Sequence, residues 1–157
     1  EAVWDALFEA GESLDVRAGC PNLIERIESG LLSFGSDMTN ENTPHESGLS
    51  KFCDTRNAIK CVGRDALLKE IENGPWRQIR SLSIHGPAVP QCRNMWEARK
   101  DNIVVGRVSS AVWSPDYQTN VALGMIHRDH WDPDTILIVE TPDGPREATI
   151  MPGPFIS

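Results

Sequence analysis

Apolar positions recur at helical spacing in the first part of the chain and alternate with polar ones in the second. In AVWDALFEA, residues 2–10, Val3, Trp4, Leu7 and Phe8 share one helical face, and Gly11 predicts a stop. SLDV, residues 13–16, reads as a short extended piece. Pro21 suits the first turn of a second helix, where its missing N–H costs nothing. Leu23, Ile24, Ile27 and Leu31 then fall within an arc of about 100°. Glu25 and Ser29 lie opposite that stripe, facing water, while Arg26 and Glu28 occupy its two flanks. At about 160° apart around the helix, these two do not pair with each other. Residues 35–48, GSDMTNENTPHESG, are loop by composition, and LSKFCDT and NAIKCVG read as short strands or connectors. RDALLKEIEN, residues 64–73, predicts a third helix, stopped by Gly74 and Pro75.

After Pro75 the period changes. RQIRSLSIH (77–85), NIVVGRVSSAVW (102–113), NVALGMIH (120–127), TILIVET (135–141) and REATIM (146–151) read as strands, with TPDGPR a strong turn between the last two. Helices followed by consecutive strands make an α+β chain with a boundary near Gly74–Pro75. Residues 1–74 hold too little for an independent core and look severed from something larger. Residues 75–157, with five or six strands, can close a small antiparallel barrel.

Composition narrows the function classes. A net charge of −8 with no basic block argues against a nucleic-acid partner, which needs clustered positive charge. The apolar runs are too short to span a bilayer, and the helical pattern begins at once after Glu1 with no signal peptide in view. The absence of an initiator Met suggests a piece of a longer protein, with removal of the Met by processing as the alternative. Cys20, Cys53, Cys61 and Cys92 show neither CxxC nor zinc spacing, which predicts reduced thiols in a cytoplasmic protein.

Three stretches in one order carry a resemblance. Arg26-Ile27-Glu28-Ser29-Gly30 matches an R-L-E-A-G helix end, Phe34-Gly35-Ser36-Asp37 a Y-G-x-D turn, and Asn42-Thr43-Pro44-His45-Glu46-Ser47-Gly48-Leu49 an N-T-x-P-x-E-x-G-L loop. VGRDAL (62–67), SSAVWSPDYQTNVALGMI (109–126) and MPGPFI near the end follow collinearly. The chain thus resembles the folate-dependent aminomethyltransferase, or glycine-cleavage T-protein, superfamily along nearly its whole length. Where that superfamily has an A-R-D stretch, Pro21, Asn22 and Leu23 stand here. The Cys-Pro-Asn form and MIHRDHW resemble the branch that demethylates dimethylsulfoniopropionate. The resemblance implies the last part of a folate-binding domain (residues 1–74) followed by a barrel-like domain (residues 75–157). It implies an enzyme moving the S-methyl of dimethylsulfoniopropionate to tetrahydrofolate, with most of the substrate pocket in an absent upstream half. Alternatives are an aminomethyltransferase, another folate-dependent demethylase, or a non-catalytic domain binding folate or a protein partner.

By the same resemblance Arg26 matches an arginine that helps hold tetrahydrofolate, and Glu28 stands beside it as a second cofactor-binding candidate. Physically, a guanidinium is a planar fork of donors suited to an acceptor-rich ligand; the plain alternative is a surface arginine with its head in water. Glu28 reads otherwise as a solvated or helix-stabilising residue, or as the partner of a basic residue upstream. Asp37, Thr43 and Glu46 read as loop-shaping acceptors, with a wall of the ligand cleft as the alternative. Trp113 and Tyr117 read as core or interdomain packing residues, with contact to the folate side as the alternative. His127 and His130 suggest a metal only superficially, because no third ligand accompanies them, and no metal site is expected. No residue stands out as catalytic.

Overall fold

A computed structural model describes residues 1–16, 22–55 and 61–156. Pro21, Cys20 and most of NAIKCVG therefore lie outside the described residues. Six strands, β1 (Arg77–Ile84), β2 (Trp96–Lys100), β3 (Ile103–Ser114), β4 (Thr119–His127), β5 (Ile136–Thr141) and β6 (Gly144–Ile150), close a barrel in the order β1-β4-β3-β2-β5-β6. Every pairing is antiparallel. The α+β class and the barrel are as the pattern predicts. β2 is the addition: in WEARK only Trp96 and Ala98 alternate inward between charged neighbours, a pattern too short to stand out in the sequence.

Inside the barrel, Leu82, Ile84, Trp96, Ala98, Val108, Ile126, Leu137, Val139 and Ile150 form one core. Small residues let the wall curve tightly. A Cβ on Gly106 would stand 2.5 Å from the Met125 carbonyl oxygen, so only glycine fits where β3 crosses β4. Bulges at Ala98/Arg99 and Val108/Ser110 add the bend that closure needs.

The helices sit outside this core. α1 (Ala2–Gly11) is followed by a 3₁₀ turn, Glu12–Leu14, and Asp15 in the left-handed region, so SLDV is not extended. α2 (Leu23–Glu28) has only six residues, and Leu31, past its end, is exposed rather than part of the stripe. Its N-cap is Asn22, whose side chain accepts the Glu25 N–H at 2.8 Å. LSKFCDT forms a 3₁₀ turn over Ser50–Phe52, not a strand. α3 (Arg64–Asn73) spans the residues the pattern marks. No described helix is long and apolar enough to cross a membrane.

α2 is held to the barrel by Ile27, fully buried against Val121 and Leu123 on the outer face of β4, with Leu23, Leu32, Ile79, Val112 and Phe155 around them. β4 is thus buried on both faces over most of its length, which is why it reads as an almost unbroken apolar run. The C-terminal tail straps α2 down: the Ile156 N–H donates to the Glu28 carbonyl at 3.0 Å. Tyr117 packs its ring on Phe155, 5.2 Å between centroids, and donates its hydroxyl to the Phe155 carbonyl.

Candidate functional site

The residues singled out in the first part of the chain meet the barrel along one seam. Arg26 is not a surface arginine. One guanidinium nitrogen donates to Asp37 Oδ2 at 2.6 Å and to the Leu31 carbonyl, and another donates to Ser110 Oγ at 2.8 Å. Asp37, shut off from solvent, also accepts the Ser33 N–H on Oδ2 and the hydroxyls of Ser109 and Ser110 on Oδ1, each of the latter at 2.6 Å.

Two consecutive strand residues ordinarily point to opposite faces. Here the bulge at Val108/Ser110 breaks the alternation, so both serines reach one carboxylate. Burial on its own would raise the Asp37 pKa. The hydroxyls of Ser109 and Ser110, the Ser33 N–H and the Arg26 guanidinium outweigh it and hold the carboxyl below its ordinary 3.8.

Glu28, expected in water, is 3% exposed, and its Oε1 accepts the Ser114 hydroxyl at 2.6 Å. That hydroxyl oxygen in turn accepts the Tyr117 N–H at 3.1 Å. Arg26 and Glu28 thus point their polar ends to two different places on β3, consistent with flanks that do not pair. Ser114→Ala, which strips a buried carboxylate of a donor, is expected to lower the unfolding free energy by about 1–3 kcal/mol in urea denaturation. An unchanged midpoint would mean that water replaces the hydroxyl.

The loop beyond Asp37 is built by its own side chains. The Glu46 N–H donates to Thr43 Oγ1 while the Thr43 N–H donates to Glu46 Oε2, a reciprocal pair like a helix capping box but closing a turn. Glu46, also buried, then anchors the start of β1 by accepting Arg77 Nε at 2.8 Å. Loop shaping was legible in the sequence; the long-range ion pair with Arg77 was not.

Beside the seam lies a cavity of about 730 Å³. Asp37, Thr39 and Glu41 wall it from the loop side, Met125, His127 and Arg107 from the barrel, and Trp76 and Arg77 from the start of β1. The Arg77 guanidinium stacks on the Trp76 indole at 4.5 Å, and His127 meets that indole edge-on at 6.0 Å. His127 Nδ1 accepts the Asp129 N–H at 3.3 Å, so one ring nitrogen is already engaged. Sequence reasoning overlooked Trp76, Arg77 and Arg107, which lie in no motif; their only signal is a cluster of charged and aromatic side chains at strand positions facing away from the core. Cys53, Cys61 and Cys92 are free thiols. Burial, and next the Asp37 carboxylate, push the Cys92 pKa up to about 11, which keeps it protonated and poorly nucleophilic at neutral pH.

Comparison with known proteins places these features. The profile of the glycine cleavage T-protein C-terminal barrel domain matches residues 77–156, and that of the GCVT N-terminal domain matches residues 1–57. A dimethylsulfoniopropionate demethylase from Ruegeria pomeroyi is 53% identical over 151 residues, covering 96% of this chain and 41% of the relative. An aminomethyltransferase from Oceanobacillus iheyensis is 27% identical over 157 residues, covering 98% of this chain and 42% of the relative. The crystal structure of the glycine cleavage system aminomethyltransferase T from Bartonella henselae superposes with a TM-score of 0.73 at 22% identity, over 83% of this chain and 37% of that one. The last likeness concerns the fold alone. The chain spans about two fifths of the length of the curated relatives it matches.

Proposed function

This chain belongs to the glycine cleavage T-protein family, and we propose that it is the C-terminal portion of a tetrahydrofolate-dependent methyltransferase acting on dimethylsulfoniopropionate. The observation that carries the substrate is the 53% identity with the demethylase, against 27% with the aminomethyltransferase. Tetrahydrofolate, when bound, supplies the nitrogen that accepts the methyl group. The sulfonium carbon–sulfur bond breaks and its electron pair stays on sulfur, giving a neutral thioether. A carbon–nitrogen bond forms, and the nitrogen's proton passes to solvent. A neutral leaving group needs no strong acid, so the protein's share is chiefly alignment of donor and acceptor.

The donor set on this chain suits such a cofactor. Arg77, Arg107, His127 and His130 face the cavity together with the indole of Trp76 and the thioether of Met125, a lining for a flat, acceptor-rich, acidic molecule. Arg26 and Glu28 belong to the proposal as folate-contacting residues. Since Asp37, Ser110 and Ser114 already engage them, either would have to exchange a barrel partner for the ligand. The reading further places the boundary of the folate-binding part near Gly74–Pro75 and the intact enzyme in the cytoplasm.

The test is turnover. The intact protein, extended upstream to the length of its relatives, should form methylthiopropionate and methylated tetrahydrofolate from dimethylsulfoniopropionate. The 157-residue chain should not. Release of ammonia from an aminomethylated carrier protein by the intact protein, without demethylation, would replace this reading with the aminomethyltransferase one. Absence of both activities would reduce the chain to a binding domain.

A further inference from the structure

The wall of the cavity is held from behind. Trp76 and Arg77 line it and Glu46 does not, yet the Glu46 carboxylate reaches Arg77 from the protein side. Glu46 is 2% exposed and is fixed by its own loop: Oε2 accepts the Thr43 N–H at 3.2 Å and the Asn42 side-chain amide at 3.3 Å. That loop is pinned along the start of β1. The Ile79 N–H donates to the Glu46 carbonyl, and the Gln78 side-chain amide to the His45 carbonyl, both at 2.8 Å. So placed, the carboxylate accepts Arg77 Nε on Oε1 at 2.8 Å and a second nitrogen of the same guanidinium on Oε2 at 3.3 Å. All these partners of its two oxygens are donors. An amide in the same place would turn its own N–H groups on donors.

A two-point contact fixes the plane of a guanidinium as well as its position. The plane matters because Arg77 stacks on the Trp76 indole at 4.5 Å. That indole is about half exposed, and it meets Arg77 on its face and His127 on its edge. Its backbone is set separately, the Trp76 carbonyl accepting the Arg128 N–H at 3.0 Å. Control of the side chain therefore runs from the loop to Glu46, from Glu46 to Arg77, and from Arg77 to the indole.

We propose that Glu46 is a positioning residue for the cofactor. From outside the cavity it orients Arg77, and through Arg77 the Trp76 indole, so that both are ordered before tetrahydrofolate arrives. Side chains already fixed lose little rotamer freedom on binding, which leaves more of the contact energy for affinity. This rests on the cofactor reading given above and adds to it a residue that acts without lining the cavity.

The intact protein, extended upstream to the length of its relatives, provides the binding test. Glu46→Gln keeps the volume and removes the charge. It should weaken tetrahydrofolate binding about tenfold in calorimetric titration, with turnover at saturating cofactor within about twofold of the native rate. Arg77→Ala should weaken binding at least as much, and adding Glu46→Gln to it should change little, because the carboxylate acts through the guanidinium. Glu70→Ala is the control. It removes the α3 carboxylate that the Thr43 hydroxyl meets at 2.7 Å and leaves the partners of Glu46 in place, so binding should hold. Urea denaturation verifies that each variant is folded under the assay conditions.

A second readout needs no folate. In the 157-residue chain, iodide quenching of Trp76 is isolated as the difference between chains with and without Trp76→Phe. Glu46→Gln should raise that quenching by up to about twofold, since it uncovers one of two ring faces. Unchanged tetrahydrofolate affinity in Glu46→Gln overturns the proposal, and so do losses that simply add to those of Arg77→Ala. An equal loss in Glu70→Ala overturns it too, because the integrity of the turn would then be the cause. A native protein that binds no tetrahydrofolate would instead remove the cofactor reading. Raised quenching would then still establish Glu46 as the residue that sets this wall, and unchanged quenching would remove both.

Discussion

Asn120→Ala is expected to lower the unfolding free energy by about 2–5 kcal/mol, the largest loss from any single polar side chain in the barrel. Asn120 is fully buried at the start of β4 and holds the 84–89 connection from within. Its Oδ1 accepts the Val89 N–H at 2.8 Å, while Nδ2 donates to the carbonyls of Ile84, Gly86 and Pro87 at 3.0, 3.4 and 3.1 Å. Alanine leaves the buried Val89 N–H without its acceptor and the Ile84 carbonyl with only the Thr119 hydroxyl at 3.4 Å, while water reaches Gly86 and Pro87, which are exposed. Asn120→Asp should be worse at neutral pH. Its second oxygen would face three carbonyls, and a buried charge would replace a neutral donor. Urea denaturation followed by tryptophan fluorescence measures both. A loss below 1 kcal/mol for the alanine variant would show that the connection repacks without the amide.

Asp37→Ala should cost about 3 kcal/mol, near the low end for breaking a buried ion pair because Arg26 keeps 20% side-chain exposure. It frees Arg26 and leaves the Ser33 N–H and two serine hydroxyls without their acceptor. The pH dependence separates charge from shape. Because the folded pKa lies below the ordinary 3.8, the unfolded chain takes up this proton first as pH falls. The stabilisation is therefore complete well above 3.8 and disappears as pH drops through the depressed folded value. Asp37→Asn keeps the shape but loses the charge. Its stability gap from the native protein should be full between about pH 5 and 7 and shrink below about pH 4. A gap that stays constant down to pH 3 would assign the effect to lost hydrogen-bond geometry alone.

The sequence made some features legible because their causes are local. The period of RDALLKEIEN and its Gly74-Pro75 stop marked α3 to the residue, and the alternation after Pro75 marked five of the six strands. Features whose partners are distant in sequence stayed hidden. β2 offers only Trp96 and Ala98 between charged residues, too short an alternation to mark a strand, and it is secured by pairing with β3 and β5 on both sides. The α2 N-cap, by contrast, is a local signal, since Asn22 stands three residues before Glu25 and caps its N–H.

For the site, the motif residues themselves were visible, since Arg26, Glu28, Asp37 and Glu46 all stand in the family's collinear pattern. Their environments were not. A helical wheel puts Glu28 at the edge of an apolar stripe but cannot know that the C-terminal tail and β3 close over that edge. Exposure is a property of what packs against a residue, and those neighbours lie tens of residues away. The same holds for the two serines: alternation predicts opposite faces for Ser109 and Ser110, and only the bulge turns both to Asp37.

What this sequence determined alone was therefore its α+β class, its helices and most of its strands, and its family, because periodicity, turn residues and motif order act within a short window of chain. Tertiary structure decided that α2 covers only part of the β4 outer face, that Arg26 is committed to Asp37 and the barrel, and that Trp76, Arg77 and Arg107 line one cavity. Those outcomes depend on strand register and barrel closure, which bring residues some 30 to 80 positions apart within hydrogen-bonding reach. No local pattern encodes which of many such distant partners a charged side chain will meet.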